Sequence, residues 1–154
     1  MLTIDEAIVR RESLNWDKKT LVFTNGHFDL LHIGHLDYLE KARALGDALY
    51  VGLNGDASTL RLKGEGRPLV PATERARLLA ALLPVDGVII FETDTAQPLL
   101  DKLRPEIYVK GGDYANKTLP ERAFVEGYGG QVALIDYLPD HSTSALIQKI
   151  KALN

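Results

Sequence analysis

Apolar positions along this chain fall in short blocks that switch between two periods. Five blocks are rich in Val, Ile, Leu and aromatic residues: TLVFT at Thr20–Thr24, ALYVGL at Ala48–Leu53, VDGVIIF at Val85–Phe91, EIYVK at Glu106–Lys110 and QVALI at Gln131–Ile135. Blocks of this length and composition predict buried strands. Between them the spacing becomes helical. Leu36, Leu39, Ala42 and Leu45 line one face of a segment from Gly34 to Leu45, and Gly46 ends it. Helices are also predicted over Ala72–Leu83, stopped by Pro84, and over Ala96–Leu103, Leu119–Tyr128 and Ser144–Leu153. Near the N-terminus, Thr3 and Glu6 carry the spacing of a capping box that opens a short helix.

Strands alternating with helices predict an α/β fold: a five-stranded parallel sheet with helices on both faces. No linker or repeat divides the chain, so residues 1–154 are expected to form one domain. The longest irregular stretch, around Lys63 to Pro71, is too short to be a boundary. Parallel sheets of this kind bind ligands beyond the carboxyl ends of their strands, near a topological switch point. Polar, Gly-rich segments follow Thr24, Leu53, Lys110 and Ile135, which places the chemistry there.

Composition narrows the class. Of 154 residues, 45% are hydrophobic and 25% charged, as in an ordinary globular protein. The absence of Cys excludes a disulfide scaffold, a thiolate metal site and a thiol nucleophile. No apolar run approaches the roughly 18 residues of a membrane span, and the charged start lacks a signal-peptide core. A cytoplasmic location without membrane association is therefore expected. A net charge of −3 argues against general nucleic-acid binding, but a few clustered cations suffice for a local anion site. The four histidines are unevenly placed: His27, His32 and His35 share one segment, and His141 adjoins a hydroxyl run. All four are expected to face one pocket.

Four segments could carry chemistry. The first, TNGHFDLLHIGH from Thr24 to His35, leaves a strand and enters a helix. His32 and His35 can point at one spot near the helix N-terminus, where free N–H groups and the dipole already favour an anion. Gly34 lacks a Cβ, so a flat ring can lie against the backbone. The same pair with Asp29 or His27 also has metal-ligand spacing, although two imidazole donors to a phosphate account better for the glycine. The second is NGD at Asn54–Asp56, then Arg61, Lys63 and Arg67 in a Gly-containing loop, which reads as a phosphate-closing flap or as a solvated loop. The third, Lys110-Gly111-Gly112-Asp113-Tyr114, is either a ligand-approaching backbone or a simple turn. The fourth, His141-Ser142-Thr143-Ser144, is either a second phosphate cradle at a helix start or a plain N-cap. Neither a dinucleotide fingerprint nor a P-loop occurs.

In order, TNGxFDxLHxGH, RLKGxGRP, ER, VKGGDY and STSALI resemble the HxGH nucleotidyltransferase family over about Leu21 to Ile150. The resemblance implies a Rossmann-like fold and transfer of a nucleotidyl group from a nucleoside triphosphate to a phosphate, with release of pyrophosphate. The likeness is greatest to the adenylyltransferases that make ADP-heptose from ATP and heptose 1-phosphate. Glycerol-3-phosphate cytidylyltransferases and FAD synthetases resemble the chain less, and a non-catalytic nucleotide-binding module is the reading from another class.

The resemblance implies roles. His32, His35 and Lys63 would be catalytic, the histidines stabilising the α-phosphorus transition state. Thr24, Asn25, Gly26, Phe28 and Asp29 would lie on the nucleotide side, Asp29 orienting the histidine turn. Gly34 would pack against the nucleotide, which Lys110, Gly112 and Asp113 approach. Ser142 and Thr143 would hold the β- and γ-phosphates, and Ser144 keeps the hydroxyl of the family's second Thr. His27, in a slot that related sequences often fill with Cys, Val or Thr, would contact substrate with Asn54, Asp56, Arg67 and Arg75. Mg²⁺ would travel with ATP, without a dedicated metal cluster. A homodimer is implied, as is a separate sugar kinase.

Overall fold

The computed structural model describes residues 1–112, 119–139 and 141–153. The first helix, α1 (Ile4–Trp16), opens on the expected capping box, with Thr3 and Glu6 exchanging side-chain and backbone bonds. Then follow β1 (Leu21–Gly26), α2 (Ile33–Arg43), β2 (Ala48–Asn54), α3 (Asp56–Lys63), α4 (Ala72–Ala80) and β3 (Gly87–Phe91). The chain continues through α5 (Gln97–Leu103), β4 (Ile107–Gly111), α6 (Arg122–Gly127), β5 (Gln131–Ile135) and α7 (Thr143–Lys151).

The five strands form one parallel sheet in the order β3-β2-β1-β4-β5. The chain builds outward from β1 through β2 to β3, then returns to the other side of β1 to place β4 and β5. The switch point thus lies between β1 and β4, where the TNGH and KGG segments leave the sheet.

Strand alternation assigns the two faces. Phe23, Tyr50, Ile89 and Tyr108 pack with α1, α5 and Val125 of α6. Val22, Leu49, Val51, Val88 and Val109 pack with Leu39 and Ala42 of α2 and with Ala76 and Leu79 of α4. All five predicted strands are present, with altered ends. β1 extends to Gly26 because its pairing with β2 continues to Gly26↔Leu53.

One helix has no sequence precedent. α3 occupies DASTLRLK, a polar stretch without an apolar stripe. It is held from outside: the Glu92 carboxylate accepts from Ser58 N at 3.0 Å, and Ser58 Oγ donates to Thr93 O at 3.1 Å. Glu92 fills the space a Cβ at Gly55 would need, so glycine at the helix start admits the carboxylate to the free N–H groups. The cations expected on one loop therefore separate. Arg61, on α3, is ion-paired with Asp94 at 2.7 Å, and Lys63 ends the helix.

Candidate active site

A cavity of about 700 Å³ opens at the carboxyl ends of β1, β2 and β4, and all four histidines line it. His32 is the N-cap residue of α2 and supplies no side-chain cap, which leaves its ring free to fold over the first turn. His35 follows within that turn, and the two rings stack at 3.8 Å between centroids and 26° between planes. A Cβ at Gly34 would stand 3.0 Å from His32 Nδ1 and 2.9 Å from His141 Cβ. The glycine therefore lets the His32 ring and the segment before α7 close on the start of α2. Phe28, held at a positive φ of 45°, sets its ring 5.2 Å from that of His35.

Two helix N-termini converge here. Thr143 Oγ1 donates to Leu30 O at 3.5 Å, and the Ser142 hydroxyl caps α7 by accepting from Ala145 N at 3.1 Å. Ser142, Thr143 and Ser144 line the cavity opposite the histidine turn. Both helix dipoles point their positive ends at one place, which suits a polyanion.

His27, His32 and His35 are biased toward the neutral form. Burial, reinforced by His32, lowers the His35 pKa to about 4. Burial and His141 lower that of His32. For His27 burial comes first, followed by Lys63, Arg75, Lys110 and Arg67, and the pKa falls to about 4. The Nδ1 atoms of His32 and His35 are buried with no protein partner.

Other expected site residues divide into wall and frame. Asn25, Gly26, Asn54, Lys63, Arg67 and Lys110 line the cavity. Asp29 also lines it, but its partners are not the histidines. Its Oδ1 accepts from Leu69 N and Val70 N at 2.8 and 3.0 Å, and Oδ2 pairs with Arg67 at 2.6 Å. Asp29 therefore anchors the α3–α4 connection rather than orienting an imidazole.

Thr24 is fully buried, with its hydroxyl bonded to Tyr38 Oη and Val109 O, so it joins β1 to α2 and β4 rather than touching a nucleotide. Arg75 is likewise withdrawn. Its side chain has no exposure, and it donates to the carbonyls of His27, Asn54 and Val70 and to Asp56 Oδ1. Fully buried and with four of its five N–H groups engaged by the protein, it shapes the site from behind the cavity wall. Asp56 is committed to Arg75 and to Ala72 N.

The paired glycines also differ from expectation. Gly111 borders the cavity under the Tyr137 hydroxyl, whereas Gly112 leaves room for the Asp136 carboxylate. Asp113 lies outside the described residues. Glu121 and Asp94 line the cavity as well. Nothing in their local sequence marks them, since each reaches the site only through the crossing of the chain over the sheet.

This sheet order, with a histidine turn at the switch point facing a hydroxyl-rich helix start, defines a nucleotidyltransferase of the α/β type. The chain belongs to the cytidylyltransferase-like family, whose model matches residues 23–148. It is 56% identical over 132 residues to the bifunctional protein HldE of Syntrophotalea carbinolica, covering 86% of this chain and 27% of that protein. To the bifunctional protein HldE of Citrifermentans bemidjiense it is 54% identical over 144 residues, covering 94% of this chain and 29% of the other. The chain thus spans less than a third of the length of these curated relatives. Among solved structures, the lipopolysaccharide core biosynthesis protein of Thermoplasma volcanium superposes with a TM-score of 0.64 at 28% identity, over 78% of this chain and 97% of that one.

Proposed function

We propose that this protein transfers the adenylyl group of ATP to heptose 1-phosphate, forming ADP-heptose and pyrophosphate. The observation that carries the reading is the stacked His32–His35 pair in a cavity whose opposite wall is formed by the hydroxyls that open α7. The strong identity to HldE proteins over the matched segment supports the adenylyl donor and sugar acceptor.

In this reaction a phosphate oxygen of the acceptor attacks the α-phosphorus. The new P–O bond forms as the bond to pyrophosphate breaks, and pyrophosphate leaves in line. The protein need form no covalent intermediate, so positioning and electrostatics supply the rate. Neutral imidazole N–H groups of His32 and His35 donate to phosphate oxygens as charge builds on them. Ser142, Thr143, Ser144 and the α7 N-terminus hold the β- and γ-phosphates, and Lys63, Lys110 and Arg67 balance the remaining charge. No cluster of three metal-ligating side chains occurs among the described residues. A Mg²⁺ would be held chiefly by triphosphate oxygens and water, and would neutralise charge on the leaving group.

Among the described residues no helix is long and apolar enough to cross a membrane. The acceptor would come from a sugar kinase, whichever chain carries it. The deciding experiment measures pyrophosphate release from ATP and CTP with heptose 1-phosphate, glycerol 3-phosphate or FMN. Release with ATP and heptose 1-phosphate is expected. Turnover only with CTP and glycerol 3-phosphate, or only with FMN, would replace this reading by that of a relative. No turnover with any pair would make the chain a binding module.

A further inference from the structure

His27 follows the end of β1 and is half-buried, with its ring tied to α3. Its Nδ1 lies 3.0 Å from the hydroxyl of Thr59, a fully buried residue. Such a bond can carry its proton on either partner, and that choice fixes what the other ring nitrogen can do. Two observations place the proton on the imidazole. Thr59 Oγ1 donates to Asn54 O at 3.3 Å, so its single proton is spent and only lone pairs remain for Nδ1. The preceding residue is wired the same way: Ser58 Oγ donates to Thr93 O at 3.1 Å and accepts from Asn54 Nδ2 at 2.9 Å. In addition, the charged groups acting on the His27 ring are the cations Lys63, Arg75, Lys110 and Arg67. Three of them, Lys63, Lys110 and Arg67, line the cavity with His27. A positive field on the cavity side favours a lone pair over an N–H there.

His27 is therefore the Nδ1–H tautomer, and its Nε2 is a hydrogen-bond acceptor. Burial and the same cations lower its pKa to about 4, so the lone pair persists at neutral pH. This sets His27 apart from His32 and His35, which offer donors to phosphate. Phosphate oxygens have no proton to give Nε2, whereas a hydroxyl group has one. The sheet order indicates whose hydroxyl it is. β2 and β4 flank β1 on opposite sides. Lys110 lies near the end of β4, and the α7 hydroxyls follow β5 beyond it, so the elements suited to the nucleotide lie on that side. His27 is bonded instead to α3, which follows β2. Lys63, at the end of α3, and Arg67 beyond it give this side charge for a second phosphate group.

We propose that Thr59 is a positioning residue that locks His27 as the Nδ1–H tautomer, so that His27 Nε2 accepts a hydrogen bond from a hydroxyl of the sugar phosphate. The assignment rests on the adenylyltransferase reading and adds to it a residue that selects a hydroxylated substrate.

Nitrogen NMR of ¹⁵N-labelled protein at pH 7.5 reads the tautomer directly, with the His27 signals identified by their loss in His27→Leu. Wild type should show a protonated Nδ1 and an unprotonated Nε2. Thr59→Ser, which keeps the hydroxyl, should preserve this form. Thr59→Val, of nearly the same shape, should release the ring toward Nε2–H. Heptose 1-phosphate added with a non-hydrolysable ATP analogue should move the Nε2 signal toward that of a hydrogen-bonded nitrogen, beyond any change made by the analogue alone. In initial-rate assays of pyrophosphate release, His27→Leu should raise the KM for heptose 1-phosphate about 2- to 10-fold, the range for one neutral hydrogen bond, with the ATP KM held within about twofold.

An Nε2–H form in the wild type, a tautomer untouched by Thr59→Val, or an Nε2 signal that answers only to the ATP analogue would overturn the assignment. So would an unchanged sugar-phosphate KM in His27→Leu, or a rise in the ATP KM alone or equally in both. The tautomer is read on wild-type protein without substrate, so a variant that fails to fold leaves that test standing. Failure of the underlying reading shows separately, as wild-type protein that releases no pyrophosphate from ATP and heptose 1-phosphate.

Discussion

The imidazole of His32 stacks on that of His35 at 3.8 Å, and burial together with this neighbour brings the His35 pKa to about 4. Two rings so close cannot both be charged at little cost, so the free enzyme at neutral pH presents a pair of neutral donors. His35→Ala should lower turnover by about 10²-fold or more while ATP affinity changes far less, because a donor aimed at developing charge acts mainly in the transition state. Near-wild-type turnover in a folded variant, checked by circular dichroism, would remove His35 from the chemistry.

Stability should fall on mild acidification. His27 and His35 titrate near 4 in the folded protein, below the ordinary value of 6.5. Between those values the unfolded chain binds more protons than the native one, so stability rises with pH across this window. It is fully present above about pH 6.5 and is lost progressively as pH falls toward 4. Urea midpoints at pH 7.5, 6 and 5 check the sign. Replacing both residues with Gln should flatten that part of the profile.

Bound triphosphate should reverse part of this depression, since negative charge favours imidazolium. Proton uptake on ATP binding is expected to be larger at pH 5.5 than at pH 7.5. Calorimetry in two buffers of different ionisation enthalpy measures it, and uptake that does not depend on pH would place the phosphates away from the histidines.

Lys63→Ala should reduce kcat by more than it weakens ATP binding. Lys63 ends α3, is exposed, and borders the cavity beside the Gly64 and Gly66 connection. A cation so placed serves best once the substrates have filled the site. Equilibrium binding set against steady-state turnover separates the two effects, and equal losses would assign Lys63 to ground-state binding.

Arg75→Met should be costly to the fold itself. Removing a fully buried guanidinium leaves the carbonyls of His27, Asn54 and Val70 and the Asp56 carboxylate short of a donor. Leaving three buried carbonyls short of a donor costs about 3–5 kcal/mol together, while the half-exposed Asp56 carboxylate is met by water, and a protein of this size loses about 2–4 °C of Tm per kcal/mol. A fall in Tm of about 6–20 °C is expected by calorimetry. An unaltered Tm with impaired ATP binding would return Arg75 to direct substrate contact.

Legibility followed burial. The five strands are buried enough that their apolar blocks stand out, and the switch point follows from their order. α3 was silent because DASTLRLK owes its helicity to Glu92 and to buried hydroxyl contacts at Ser58 and Thr59, none of which has a periodic signature. The histidine turn was legible because its spacing and its place after a strand act together. Thr24, Asp29 and Arg75 were singled out with equal force, yet their side chains turn to the frame. A residue's type announces charge or a hydroxyl, and only the fold decides which way it faces. Glu121 had the opposite fate, being ordinary in sequence and distinctive only through its surroundings.

The seating of the last helix has a consequence for how ligand and chain depend on each other. α7 contributes no fully buried residue, and it meets the rest of the molecule near its first turn, where Thr143 reaches Leu30 and His141 lies over Gly34. A triphosphate spanning the two helix starts can be gripped only while α7 is in place, so docking of the helix and occupancy of the site are thermodynamically linked. The substrate then acts as mortar between the first and last thirds of the chain. Amide hydrogens across α7 should exchange more slowly once nucleotide is bound.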